Sequence, residues 1–191
     1  SRLNIETPII KDKLMMTLGG RAGVTDFLLP LVSERLKDTT AKFYDSTVKL
    51  LYLPTDDDQI TLTGFYSKDF YPLDLITQIQ NINAKNNQYD FKTLNGTLNW
   101  RHSFNDKSNL RTFLVMSDYS PKTIFPEVDN PNEIVFESKI NYLSFASEFS
   151  KEIKTNLDYY VGVQANKYQI RPGELRPGNG NSVVAVSLAE E

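Results

Sequence analysis

The chain of 191 residues contains no cysteine, which excludes disulfide bridges and thiolate metal sites in this sequence. Its one histidine, His102, has no marked serine or cysteine partner, so nothing indicates a catalytic triad. The formal net charge of −3 leaves no basic excess for binding nucleic acid. No apolar run approaches the roughly 20 residues of a membrane-spanning helix, and no signal peptide opens the sequence.

Other residue clusters also fail to indicate bond chemistry. Asp56-Asp57-Asp58 lacks the spaced ligands, central glycine and distal glutamate of a calcium-binding EF-hand loop, so it indicates a polar turn. Gly178-Asn179-Gly180-Asn181 has no strand–helix context for a phosphate-binding loop. The sequence therefore predicts that the protein is not an enzyme and holds neither a metal nor a cofactor.

Apolar and polar residues alternate along most of the chain. In the opening stretch RLNIETPIIKDKLMMTLGGRAGV, two alternating runs flank a charged turn, and Leu3 and Ile5 share a face opposite Asn4 and Glu6. A period of two indicates β-strands with two unlike faces. The same pattern predicts further strands in residues 41–53, 59–67, 89–104, 109–117, 134–149, 157–167 and 182–188.

Short turns and long connections alternate strictly. Short polar turns are predicted near Asp12, Asp57, Asp106 and Lys154, at intervals of about 45 to 49 residues, so one structural unit recurs. The segments between them are rich in Pro, Asn, Gly and charge and are predicted to be irregular loops, the second with one short helix in residues 72–85. These long connections cover residues 25–40, 68–88, 118–133 and 168–181. An up-and-down sheet would place all short turns at one end and all long loops at the other.

Strand length and face composition favour lipid over a protein core. The predicted strands reach ten residues or more, the length that a tilted strand needs to cross a bilayer. The second face carries Thr, Asn, Gly, Ser, Gln and single charges, as a watery lumen would. The sequence thus predicts an all-β fold, an antiparallel up-and-down transmembrane β-barrel fragment of about eight strands or slightly more. Residues 1–191 are expected to be part of one β-barrel domain, and a soluble β-sandwich or barrel is the alternative.

Several motifs resemble the barrel of TonB-dependent outer-membrane receptors, especially those of Bacteroidetes-type bacteria. The family has a "GPIIKDK"-like turn before a "GGR-x-x-x-x-D-x-LL" strand; here TPIIKDK, with Thr7 in place of glycine, precedes GGRAGVTDFLL. The segments FYDSTVKLLYLPTDDDQITLTGFYSKDFY and LNGTLNWRHSFNDKSNLRTFLVMSDY are similar to the hairpins that follow. The stretch VGVQANKYQIRPGEL keeps part of an "H-x-F-x-P-G" pattern, with Lys167 where the family has histidine.

This resemblance implies a transport receptor in the bacterial outer membrane. It implies import of a scarce nutrient, namely a siderophore, cobalamin, a glycan or a peptide, with energy from a TonB complex. Family members have a plug domain inside a barrel of about 22 strands, and the plug is absent from this sequence. The expected partners are outer-membrane lipid, the TonB complex through the missing plug region, an unknown small solute and a surface lipoprotein. A small closed outer-membrane barrel with a structural or adhesive role, or a soluble β-barrel ligand binder, remains the alternative.

Binding of a solute is expected at the lumen face and at the long-loop end. The candidates that face the lumen are Arg21, Asp45, Lys49, Asn99, Arg101 and Gln164. The candidates in extracellular loops are Asp26, Phe70, Tyr71, Tyr119 and Arg171. Aromatic and charged side chains can capture a solute, while simple solvation is the alternative explanation for any one of them.

Overall fold

The computed structural model describes residues 2–24, 41–72, 78–79, 82–128, 132–179 and 186–187. Eleven strands form in these residues, and none of them is helical. The strands are β1 (Arg2–Ile10), β2 (Leu14–Val24), β3 (Lys42–Tyr52), β4 (Asp58–Pro72), β5 (Gln78–Ile79), β6 (Ile82–Asn83), β7 (Gln88–Asn105), β8 (Ser108–Pro126), β9 (Glu133–Lys154), β10 (Leu157–Pro177) and β11 (Val186–Ser187).

Eight long strands form one antiparallel sheet in which each strand pairs with the next long strand along the chain. The order in the sheet is β1-β2-β3-β4-β7-β8-β9-β10, and the two-residue β11 adds to β10. The prediction of an all-β, up-and-down antiparallel fold is therefore confirmed. Within the described residues β1 pairs only with β2, so the sheet has an open edge at β1.

The short turns lie at one end of this sheet, as the repeat predicted. The first turn places Asp12 at a positive φ of 59°, a left-handed conformation that Asp tolerates better than most residues. The amide of Lys13 donates to the carbonyl of Ile10 across this turn at 3.1 Å. The other three short turns connect β3 to β4, β7 to β8 and β9 to β10.

The strand register gives the sheet two different faces, because cross-strand partners project to the same side. One row on the first face runs through Met16, Leu50, Leu62, Leu98, Leu114, Phe145 and Ala165. One row on the second face runs through Thr17, Lys49, Thr63, Thr97, Val115, Ser144 and Asn166. We call these the apolar face and the polar face.

A small core lies at the long-loop end on the polar face. Ala84, Phe125 and Ile134 are buried there, with Phe136 and Leu175 packed against them. The chain beside β6 crosses over this core and is held by backbone hydrogen bonds from Lys85 to Pro126 and from Val128 to Asn83. The rest of the sheet has no such cover within the described residues.

Three of the predicted irregular loops are wrong over much of their length. The strands β4, β8 and β10 continue through the segments predicted as loops and end only at Pro72, Pro126 and Pro177. Each proline lacks the amide that the next ladder bond would need, so it is a natural strand end. The sequence pattern did not predict these strand extensions, because their polar composition resembles that of a loop.

The predicted short helix in residues 72–85 is also wrong where the structure describes it. Residues Gln78–Ile79 and Ile82–Asn83 instead pair as a small hairpin. The periodic isoleucines that suggested a helix are too few to outweigh this local pairing. Residues 73–77 and 80–81, and the predicted loop 25–40, lie outside the described residues.

Candidate functional site

The six lumen candidates all lie on the polar face. Arg21 pairs with Asp45 across β2 and β3. Lys49 lies further along β3 on the same face, opposite Thr17. Asn99 and Gln164 belong to one cross-strand row, and Arg101 is in the adjacent row. The structure therefore distributes these candidates over the whole polar face and brings only Arg21 and Asp45 into direct contact.

Arg21 and Asp45 form an ion pair toward the long-loop end of the polar face. The Arg21 guanidinium donates to Asp45 Oδ2 at 2.7 Å through both Nε and a terminal nitrogen. The same guanidinium lies 5.2 Å from the centre of the Phe43 ring, within the range of a cation–π contact. The Arg21 side chain remains 60% exposed, so its outer surface is accessible to a solute.

Four aromatic rings form a cluster on the same face, on the extensions of β4, β7 and β8 toward the long-loop end. Tyr71 stacks on Tyr89 with ring centres 5.3 Å apart and contacts Phe91 at 5.6 Å. Phe91 in turn stacks parallel to Tyr119 at 6.4 Å. Tyr89 is buried, with 8% of its surface exposed. The partly exposed rings of Tyr71, Phe91 and Tyr119 offer a surface on which a planar or ring-shaped solute can stack. Tyr71 and Tyr119 were predicted, whereas Tyr89 and Phe91 were missed, since only the long strands reveal that they are neighbours.

A second polar cluster lies on β9 and β10. The Tyr142 hydroxyl donates to Asn166 Oδ1 at 3.0 Å, and the Gln164 amide donates to the same oxygen at 3.3 Å. The Tyr142 and Tyr168 rings are 4.7 Å apart. Gln164 was predicted, and the period-two alternation that selected it would also have selected Asn166 and Tyr168.

The four loop candidates that the structure describes lie in strands. Phe70 and Tyr71 lie in β4, Tyr119 in β8 and Arg171 in β10. Tyr71 and Tyr119 belong to the polar face, whereas Phe70 and Arg171 belong to the continuation of the apolar face. Asp26 lies outside the described residues.

The apolar face is exposed and is bordered by aromatic side chains. Leu62, Leu98 and Phe145 have 48%, 41% and 44% of their surface exposed. The aromatic residues toward the short-turn end are Tyr52, Trp100, Phe104, Phe149 and Tyr159, and those toward the long-loop end are Tyr44 and Tyr66. We call the apolar residues between these two borders the apolar belt.

Asp58 contacts several side chains at the short-turn end of the sheet, outside the apolar belt. Its carboxylate accepts hydrogen bonds from Thr55 Oγ1 at 2.8 Å and from Trp100 Nε1 at 2.9 Å, and Nδ1 of His102 lies 2.9 Å from Oδ1. These hydrogen bonds hold the pKa of the Asp58 carboxyl below its usual value, and the bond from Thr55 has the largest effect. His102 is thus a structural partner of Asp58, and no bond-breaking role follows from its position.

Among the described residues, no group of three or more histidine, cysteine, aspartate or glutamate side chains could hold a metal ion. No described helix is long and apolar enough to cross a membrane. No family model, curated protein or solved structure matches the chain.

Proposed function

We propose that this sheet is part of the wall of an outer-membrane β-barrel receptor that imports a solute. The observation that carries the proposal is the exposed apolar belt on eight consecutive antiparallel strands. A soluble monomer rarely exposes an apolar patch above a few hundred Å², whereas lipid-facing strands need one on their outer side.

Strand dimensions agree with this assignment. The strands β1, β2 and β3 have 9, 11 and 11 residues, matching the 9–11 residues of a tilted transmembrane strand. The aromatic borders on both edges of the belt correspond to the amphipathic rings that concentrate at membrane interfaces. Within the sheet, from β2 to β9, each strand pairs with a neighbour on both sides, as lipid demands of backbone hydrogen bonds.

The polar face supports solute passage in this proposal. Its Arg21–Asp45 ion pair, its four-ring cluster and its Tyr142–Asn166 cluster are the groups that would contact a solute. Together with the sequence resemblance, they favour a TonB-dependent receptor that binds a siderophore, cobalamin, glycan or peptide. In that case the edge at β1, which is open within the described residues, pairs with a further strand of the barrel.

Fractionation and uptake test the proposal in two steps. The intact protein should sediment with outer membranes, resist extraction by carbonate and require detergent for solubility. Cells expressing it should accumulate one of a panel of probes (a ferric siderophore, cyanocobalamin or a maltooligosaccharide), and a protonophore should abolish accumulation. Recovery in the soluble fraction would overturn the membrane assignment. Membrane recovery with no energy-dependent uptake of any probe would favour a structural or adhesive barrel.

A further inference from the structure

The apolar face does not end at the aromatic border near the long loops but becomes strongly charged. The cross-strand row that contains Tyr44 continues through Lys68 and Lys92 toward Lys139 and Arg171. Two of these lysines have partners on the same face: Lys68 contacts Asp90 at 2.6 Å and Lys139 contacts Asp118 at 2.7 Å. The cations of this row exceed the carboxylates beside it, so the band has a positive balance.

A groove of about 500 Å³ lies where this charged band meets the apolar belt. Leu94, Met116 and Leu143 line it and are 50%, 58% and 46% exposed. Gly96 opposes Met116 across β7 and β8 and contributes no side chain to the groove. A Cβ at this position would lie 3.2 Å from Met116 Cγ, so a larger residue would displace the Met116 side chain. The apolar lining of the groove is therefore continuous with the lipid-facing belt.

The groove has a polar and basic rim. Lys167 and Asn141 line it, and Asp118 lines it with its carboxylate already paired to Lys139. Lys92 follows the same side of β7 as Leu94, and its ammonium lies 5.9 Å from the Tyr66 ring centre. Among the described residues, the buried Asn141 Oδ1 accepts no hydrogen bond.

We propose that this groove binds one lipid molecule with a phosphate-bearing, anionic headgroup. The acyl chains would lie over Leu94, Met116 and Leu143, and the phosphate would lie between Lys92 and Lys167, while Lys139 stays paired with Asp118. A neutral or purely apolar occupant would leave the basic rim without a counter-charge, and a free anion would leave the apolar lining uncovered. This inference rests on the proposed function, because it requires the apolar belt to face lipid.

Native mass spectrometry of the intact protein in dodecyl maltoside tests the site with phosphatidylglycerol and phosphatidylcholine as probes. Phosphatidylglycerol should bind at least tenfold more tightly. Replacing Lys92→Gln and Lys167→Gln together should weaken its binding about 25-fold, since each basic residue near an anionic surface contributes about 1 kcal/mol, or about fivefold. The matched control Lys107→Gln with Lys154→Gln, at the short-turn end, should change binding less than twofold. Gly96→Leu, which fills the groove, should weaken binding of both lipids.

Three results would overturn the lipid site. They are equal binding of the two lipids, an equal effect of the test and control pairs, and displacement of the lipid by millimolar inorganic phosphate, which would assign the rim to a free anion. Outer-membrane fractionation of each variant separates this failure from failure of the proposed function. If the Lys92→Gln and Lys167→Gln variant sediments with membranes and still prefers phosphatidylglycerol, only the lipid-site proposal is contradicted. If the wild-type protein is soluble, both proposals are contradicted.

Discussion

At the scale of a residue, Leu98 shows that the apolar belt exposes large apolar side chains. It lies in β7 between its cross-strand partners Leu62 and Leu114, and 41% of its surface is nevertheless exposed. Its neighbour Thr97 projects to the other face and pairs with Thr63 and Val115. Substitutions at these two adjacent positions therefore test the apolar face and the polar face separately.

Leu98→Arg should lower the free energy of unfolding in a bilayer by about 2–4 kcal/mol, because it places a charge in the hydrocarbon region. Thr97→Arg should cost much less, since it adds the same side chain to the polar face. Refolding titrations into phosphatidylcholine vesicles measure both values. Equal costs for the two substitutions would contradict the assignment of the faces.

Asp58→Asn should destabilise the short-turn edge at neutral pH, because the amide replaces the charged acceptor of the Thr55 and Trp100 hydrogen bonds. The pKa of Asp58 is lowered by folding, so its contribution to stability is present above the unfolded pKa of about 3.8. That contribution is lost as the pH falls through the folded pKa, below about 3.8. Denaturant unfolding at several pH values should show the difference between wild type and variant disappearing in that range.

The matched control for this experiment is Asp57→Asn in the same turn. The backbone carbonyl of Asp57 accepts the Ser103 amide at 2.8 Å, and this bond survives the side-chain change. A difference between wild type and Asp58→Asn that persists unchanged at the lowest pH would contradict the proposed role of the Asp58 charge.

At the scale of an element, the main finding is the length of the later strands. The strands β7, β8, β9 and β10 have 18, 19, 22 and 21 residues, about twice the length that crosses a bilayer. Their outer parts carry the four-ring cluster on one side and the charged band on the other. In the proposed function, these parts rise above the membrane and carry the solute-binding and lipid-binding groups.

Amide hydrogen exchange should reveal the extensions as strands. The amides of residues 122–125 and 134–137, which pair between β8 and β9, should exchange as slowly as those of the belt. The predicted loops of the sequence would instead exchange within seconds. Rapid exchange throughout these two segments, with slow exchange in the belt, would contradict the extended ladder.

Gly173 tests the packing of these extensions. A Cβ at this position would overlap the Phe136 ring, and the β9–β10 ladder has a register shift beside it, between Arg171 and Glu174. Gly173→Val should therefore cost about 1–3 kcal/mol through overpacking. In a Phe136→Ala background the same substitution should cost less, and thermal unfolding of the four proteins measures this coupling. Additive effects would contradict the contact.

Sequence patterning predicted the belt well and the extensions poorly. Alternation at Leu94, Leu98 and Trp100 is clear because both sequence neighbours of each residue are polar. Beyond Asp118 both faces change character: the polar face gains Tyr119 and Phe125, and the other face gains Lys122. Charge pairs such as Lys122–Glu137 at 3.4 Å stabilise strands that alternation alone cannot detect. Contacts such as Tyr71 with Tyr89 depend on register, which the sequence alone does not specify.

At the scale of the whole molecule, the proposed barrel must provide a partner for β1, whose outer edge is open within the described residues. All residues of β1 except Thr7 are classed as exposed, and β10 is exposed over nearly its whole length. An exposed row of unpaired backbone groups favours edge-to-edge association, and lipid does not tolerate it. The proposal therefore predicts that other strands of the intact barrel pair with β1.

Hydrogen exchange on the intact protein checks this prediction. The β1 amides that do not bond to β2 should exchange slowly in the intact protein and rapidly in a fragment limited to these 191 residues. Slow exchange in the fragment, with no change in its oligomeric state, would indicate that these eight strands close on themselves.

The central claim is that the apolar face of β7 contacts lipid. Spin-label accessibility along Leu94 to Trp100 tests it most directly. The 191 residues contain no cysteine, so each introduced cysteine adds one defined labelling site in this segment. The account predicts that labels at Leu94, Gly96, Leu98 and Trp100 collide with oxygen dissolved in the bilayer. Labels at Asn95, Thr97 and Asn99 should instead collide with a water-soluble nickel complex. Loss of this period-two alternation, or its inversion, would contradict the lipid-facing belt and with it the receptor proposal.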